Sequence, residues 1–144
     1  MIIKRLSKEY ISDIVKLELS TLNTTLGEDM LENAIDDPFS IYLVATINDK
    51  LVGYISSHYV SPELEILNFC VNPSNQRQGV GQALYNELLK ISNAKKVFLD
   101  VKSTNNKGKS FYKKNGFKEI SIRKSYYSDN TDDIVMMKEI IWKY

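Results

Sequence analysis

Only one cysteine, one histidine, three prolines and six glycines occur in 144 residues. A lone Cys70 cannot close an internal disulfide, and with His58 as the one imidazole the chain cannot assemble a Cys/His zinc site. No metal is expected. Charge of one sign is lacking too: nineteen Lys plus Arg against eighteen Asp plus Glu leave a net +1. That balance removes the global electrostatic ground for a nucleic-acid partner. No uncharged apolar run nears the ~18 residues that a membrane-spanning helix needs, so a soluble protein is expected. Met1-Ile2-Ile3-Lys4-Arg5-Leu6 places charges where the apolar stretch of a signal peptide would lie, which predicts a cytoplasmic address.

What is present suits one folded unit. The hydrophobic share of 43% and charged share of 26% allow a real core, and the length predicts a single domain over residues 1–144. Charge is unevenly spread. Residues 1–38 carry eight acidic groups against four basic ones, whereas residues 102–126 carry eight basic groups against Glu119 alone. Such polarity would suit an anionic ligand on one side and a cationic one on the other, but from charge alone two solvated helix faces are the simpler explanation.

Periodicity orders the elements. Ile2 to Leu6 is short and β-capable. From Lys8 to Leu19, the spacing of Ile11, Ile14, Val15 and Leu19 predicts an amphipathic helix, and a shorter one is predicted over 28–35. Residues 41–47 and 51–58 read as strands of a hairpin around Asn48-Asp49-Lys50. Residues 64–71 add a third strand, stopped by Asn72-Pro73. From Gly79 the period becomes helical, with Val80, Ala83, Leu84, Leu88 and Ile91 on one face. Lys96 to Lys102 alternates again, leaving Asp100 mid-strand, an uncommon place for it. A short helix capped by Asn105 or Asn106 and ended by Asn115-Gly116 follows. Strands over 117–123 and 133–141 close the order, which fits a mixed α/β sheet covered by helices on both faces.

The stretch Gln76-Arg77-Gln78-Gly79-Val80-Gly81-Gln82 sits where strand passes through loop to helix. Helix N-terminal N–H groups without partners, and glycines that let a ligand approach the main chain, suit a phosphate there. Arg77 could add a charge-assisted bond. Glycine serving only strand-to-helix packing is the plain alternative. No Gly-Lys-Ser/Thr follows, so this is not a P-loop, and no third glycine makes it a dinucleotide fingerprint.

Gln76-x-x-Gly79-x-Gly81 resembles the acetyl-CoA pyrophosphate loop of the GNAT superfamily of N-acetyltransferases. Phe69-Cys70-Val71 and the residues around them resemble the strand that pairs with the pantetheine arm, and Asn105 with Tyr112 and Gly116-Phe117 resembles the family's Asn-x6-Tyr-x3-Gly-Phe segment. The resemblance spans roughly residues 50–127. It implies a mostly antiparallel twisted sheet, acetyl-CoA as cosubstrate held by Phe69, Cys70, Val71, Gln76–Gln82, Asn105 and Tyr112, and an amine as acceptor. Leu99-Asp100-Val101-Lys102, Arg123 to Tyr127 and Asp133-Ile134-Val135-Met136 are similar to RimI-type members, which acetylate the N-terminal alanine of a small-subunit ribosomal protein. By that likeness Asp100 is the base, with glutamate usual in its place, and Tyr126 and Tyr127 contact the substrate. The Phe/Pro-Trp element of that group is replaced by Thr21 to Leu26.

The chemistry asks for a neutral amine, a polarised carbonyl and a proton for the departing thiolate. An α-amine, with a reference pKa of about 8, is easier to deprotonate than lysine at about 10.4, so a carboxylate acting through water suffices. Asp100 is the candidate base and Glu65 the reserve; a salt bridge from Asp100 to Lys102 or Arg123 is the structural alternative. Tyr112 is the candidate acid. Cys70 is expected to be a buried small residue rather than a nucleophile, since no His is near it in sequence. A protein N-terminal α-amine, with a ribosomal protein as the first candidate, is the expected acceptor. A small amine such as a polyamine or amino sugar, or a CoA-binding module without turnover, are the alternatives, and a monomer or homodimer is expected.

Overall fold

Residues 1–142 are described by the computed structural model. Alternating apolar residues give seven strands and the 3.6-residue stripes give four α-helices, in the predicted order: β1 Ile2–Arg5, α1 Ile11–Leu22, α2 Glu28–Asp36, β2 Ser40–Ile47, β3 Lys50–Val60, β4 Glu63–Val71, α3 Val80–Ser92, β5 Lys96–Lys102, α4 Asn106–Lys114, β6 Lys118–Arg123 and β7 Asp133–Glu139. The strand order is β1-β2-β3-β4-β5-β7-β6, and the one parallel pair whose register is resolved joins Glu63–Ile66 of β4 to Lys96–Leu99 of β5. The mixed, mostly antiparallel architecture is the one expected. Two compact units divide the chain, Met1–Tyr59 with Leu67–Asn93, and Val60–Ile66 with Ala94 onward.

In the first unit β2 pairs antiparallel with β1 and β3. Asn48 and Asp49 both take positive φ (52° and 62°), which suits the right-handed twist of a tight hairpin. Its core gathers Ile11, Ile14, Leu17, Leu31, Val44, Tyr54 and Cys70, and each fully buried aliphatic side chain contributes about 1.5–3 kcal/mol. The stripe of α1 is rotated from expectation. A single 3-10 turn, Lys8–Tyr10, precedes it, Leu19 is 47% exposed, and Glu18 is fully buried instead. The slot four residues beyond Ile14 thus belongs to a carboxylate. Thr25 Oγ1 donates to Glu18 Oε1 at 2.6 Å, the Leu26 N–H at 3.3 Å, and Asn68 Nδ2 donates to Oε2 at 2.6 Å.

Gly53 sets how closely α3 approaches β3. A Cβ there would stand 2.8 Å from Val80 Cγ1 and 3.1 Å from Leu84 Cδ1, with the Cys70 carbonyl at 3.3 Å. Gly53→Ala is therefore an overpacking change, expected to cost about 1–3 kcal/mol. Thermal unfolding reads it, and an unshifted Tm would show that α3 moves away without cost.

In the second unit β7 is bonded on both sides, to β5 with Leu99 opposite Met136, and to β6 with Arg123 opposite Asp133. Val97, Leu99 and Val101 are buried on one face of β5, as its alternation predicts. Asn105 caps α4, accepting the Gly108 N–H at 2.9 Å. Gly116 ends that helix at φ 91°. Phe117 precedes β6 rather than starting it, buried with its ring 5.4 Å from that of Tyr112.

Candidate active site

Between β4 and α3 the chain is tied down at several points. The Asn72 N–H donates to the Val52 carbonyl at 2.8 Å, and Asn72 Oδ1 accepts the Ser74 N–H at 3.1 Å to cap the 3-10 turn Pro73–Asn75. Gln76 Nε2 reaches back to the Val71 carbonyl at 3.3 Å. Arg77 (φ 65°) and Gly79 (φ 82°) both adopt the left-handed region. For Gly79 this is free of strain, while for Arg77 it is a cost of order 1 kcal/mol of the sort that gathers at functional loops.

No side chain caps the N-terminus of α3, and its first helical bond is Ala83 N–H to the Gly79 carbonyl at 3.0 Å. The N–H groups of the preceding turn therefore carry the positive end of the helix dipole. A Cβ at Gly79 would meet nothing within 4 Å, and one at Gly81 would lie 3.6 Å from Phe69 and Val71. An uncapped, glycine-lined helix end resting on β4 fits a phosphate-bearing ligand such as CoA. Asn75 Nδ2 donates to Gln78 at 3.4 Å and Gln82 to Asn86 at 2.9 Å. Val80 is buried. Burial pushes the Cys70 thiol up to about 11, so it stays protonated near neutral pH and is no thiolate nucleophile.

The second unit holds the carboxylates. Asp100, on the polar face of β5, keeps 41% of its side chain exposed and is paired with Arg123 Nη2 at 3.4 Å, not with Lys102. Lys102 instead meets Asp129 at 3.4 Å and lies over the Tyr127 ring at 4.8 Å. Partial burial, then the adjacent Asp133 and Glu65, push Asp100 up to about 6, against the pull of Arg123. Near neutral pH Asp100 is thus mostly ionised, yet far more basic than an ordinary carboxylate. Glu65 is exposed on β4 opposite Phe98, within electrostatic reach of Asp100 but not bonded to it.

Tyr112 is buried on α4 between Phe111 and Phe117, with ring centroids at 5.5 and 5.4 Å. Asn105 spends its carbonyl oxygen on the cap of the same helix. Tyr126 is exposed under the Arg123 guanidinium at 5.0 Å. The Tyr127 hydroxyl donates to Asp133 Oδ1 at 2.9 Å. Each unit therefore gathers its own part of the predicted set, the loop residues in the first and Glu65, Asp100, Tyr112, Tyr126 and Tyr127 in the second.

Sequence reasoning did not single out Asp133 as a site residue. It is fully buried, and the available signal was an acid heading an apolar strand beside a tyrosine pair. Glu18 was read only as one acid among eight in the N-terminal quarter, although it is buried and hydrogen-bonded.

Residues 8–117 match the family model described as "Acetyltransferase (GNAT) family". A candidate ribosomal protein bS18-alanine N-acetyltransferase of Bacillus subtilis (strain 168) is 28% identical over 139 residues, covering 94% of this chain and 92% of that protein. The ribosomal protein bS18-alanine N-acetyltransferase of Escherichia coli (strain K12) is 32% identical over 97 residues, 64% of this chain and 66% of its own. A crystal structure of the ribosomal-protein-S18-alanine N-acetyltransferase from Escherichia coli superposes with a TM-score of 0.88 at 24% identity, covering 99% of this chain and 96% of that one.

Proposed function

Because the chain belongs to the GNAT family of acetyltransferases, whose members draw on acetyl-CoA, we propose that it acetylates a protein N-terminal α-amine, with the ribosomal protein acted on by its relatives as the first candidate. The observation that carries this reading is Asp100, a solvent-reachable carboxyl shifted up to about 6. Against an α-ammonium of about 8 the proton transfer is uphill by only about two pH units, against more than four for a lysine ammonium. That difference favours α-amines over lysine.

The roles follow from the residues. The loop from Gln76 to Gln82, with Phe69, Cys70 and Val71 of β4, holds the CoA moiety. Asp100 takes the ammonium proton through water, with Glu65 as the reserve base. The amine nitrogen then forms the C–N bond as the C–S bond breaks, the nitrogen sheds its second proton to water, and the Tyr112 hydroxyl gives its proton to the leaving sulfur. Solvent restores Tyr112 and accepts the proton from Asp100. Tyr126 and Tyr127 contact the peptide. A single domain over 1–144 acting in the cytoplasm is part of the same reading; no described helix is long and apolar enough to cross a membrane.

Incubation with acetyl-CoA and a panel of amines tests it, with intact mass and site mapping as readout. A peptide with a free N-terminal alanine is expected to gain one acetyl group on its α-nitrogen, faster than lysine side chains, polyamines or amino sugars. Faster transfer to a small amine would overturn the substrate class. Tight acetyl-CoA binding with no amine accelerating CoA release would overturn the enzyme.

A further inference from the structure

The start of β7 poses a hydrogen-bonding problem. Asp133 has no exposed surface, and its two carboxylate oxygens are unequally served. Oδ1 accepts the Tyr127 hydroxyl at 2.9 Å. Oδ2 has no hydrogen-bond donor among the described residues; Arg123 Nε stands at 3.5 Å, an ion-pair separation, while its Nη2 is directed to Asp100 at 3.4 Å. A buried carboxylate oxygen left without a donor is costly. Asp100 is the carboxyl beside it: β5 and β7 pair Asp100 with Val135 and Lys102 with Asp133, which puts the two acids two positions apart on one face, and Arg123 reaches both; one carboxyl group can donate to another only while it carries a proton.

We propose that Asp133 is a positioning residue for Asp100: its open Oδ2 accepts a hydrogen bond from the Asp100 carboxyl whenever Asp100 carries a proton, and Asp100, the exposed member, trades that proton with solvent and substrate. Asp133 makes and breaks no bond to substrate. Its fixed charge and its open oxygen hold the proton on Asp100 until the pH approaches neutrality. The use of that proton in catalysis rests on the acetyl-transfer reading above; the pair itself does not.

The groups around the pair set the direction of every change. Glu65 from β4 adds negative charge and Arg123 from β6 adds positive charge. Lys102 of β5 is engaged with Asp129 at 3.4 Å, and Lys124, after β6, with Asp132 at 3.2 Å. Tyr127 supplies a neutral donor, since burial and Asp133 hold its hydroxyl protonated. Arg123 is thus the cation that opposes the pair directly. Removing Asp133's charge and removing Arg123's charge must therefore shift Asp100 in opposite senses.

Carboxyl carbon NMR of the substrate-free protein across pH, with Asp100→Asn to assign the signal, reads the pair directly. In Asp133→Asn, which keeps an acceptor for Tyr127, the Asp100 midpoint is expected to fall by about one pH unit or more. In Arg123→Gln it is expected to rise, which also tests the pair if Asp133→Asn does not fold. The acid limb of the kcat/KM profile is expected to follow in both. An Asp100 midpoint that stays put in folded Asp133→Asn, or moves the same way in both variants, overturns the proposal. Midpoints that move as expected while the kcat/KM limb stays fixed support the pair and overturn Asp100 as the base.

Discussion

Asp100→Ala is expected to lower turnover by about two to four orders of magnitude near pH 7, with acetyl-CoA affinity little changed. The affinity is expected to stay because Asp100 is not among the residues proposed to hold the CoA moiety. On the proposed reading, turnover falls because the α-ammonium then has only the reserve base Glu65 and water to take its proton. The loss is also expected to shrink as pH rises past about 8, where the amine deprotonates unaided. Turnover and equilibrium binding measured from pH 6.5 to 9 check both parts, and a loss independent of pH would speak against a base.

Stability moves the other way. Asp100 is held above its unfolded value, so between about pH 3.8 and 6 the folded chain carries more protons than the unfolded one. Folding stability therefore declines as pH rises through that window, and the penalty stays in full above it. Solvent screens the exposed side chain, which reduces the penalty to about 1 kcal/mol. Asp100→Asn is thus expected to raise Tm at pH 7.5 by about 3 °C while removing activity. Loss of stability on this substitution would mean that the ion pair to Arg123 outweighs the repulsion from Asp133.

Glu18→Ala is expected to cause the largest loss of stability, about 3–5 kcal/mol or on the order of 10 °C in Tm. The side chain joins α1 to the segment after it and to β4, and its removal strands the Asn68 amide, the Thr25 hydroxyl and the Leu26 N–H while opening a cavity. Glu18→Gln fills the space but brings an NH2 group where every neighbour is a donor, so it should recover only part of the loss. Chemical unfolding of both variants gives the comparison. Equal stability for glutamate and glutamine would show that charge has no part in the tie.

Glu18 also marks where reading the sequence stops. The helix that carries it was legible from its apolar spacing, but which residue fills the inward slot depends on Asn68, fifty positions away, and no local pattern reports that. The same holds for Asp133, whose partners Tyr127 and Arg123 come from a neighbouring strand and the connection after it. By contrast, α3, the alternation of β5, the Asn105 cap and the glycine stop at Gly116 rest on contacts within a few residues, and all stand as the sequence indicates. The form of the loop was legible because its determinants are local as well: two glycines, a helix start and Gln76. The pairing of Asp100 with Arg123 instead of Lys102 follows from strand order, since β7 lies between β5 and β6 and chain order alone does not give that insertion.

That insertion also bears on how the protein emerges during synthesis. β5 and β6 leave the ribosome before the strand that bonds to both, so each waits with an open edge until residues 133–139 appear. Asp100 is then a solvated carboxylate beside no buried partner, with ordinary acidity. All residues of the loop between β4 and α3 have emerged by position 93, whereas the surroundings that raise Asp100 wait for residues 133–139, the last strand described.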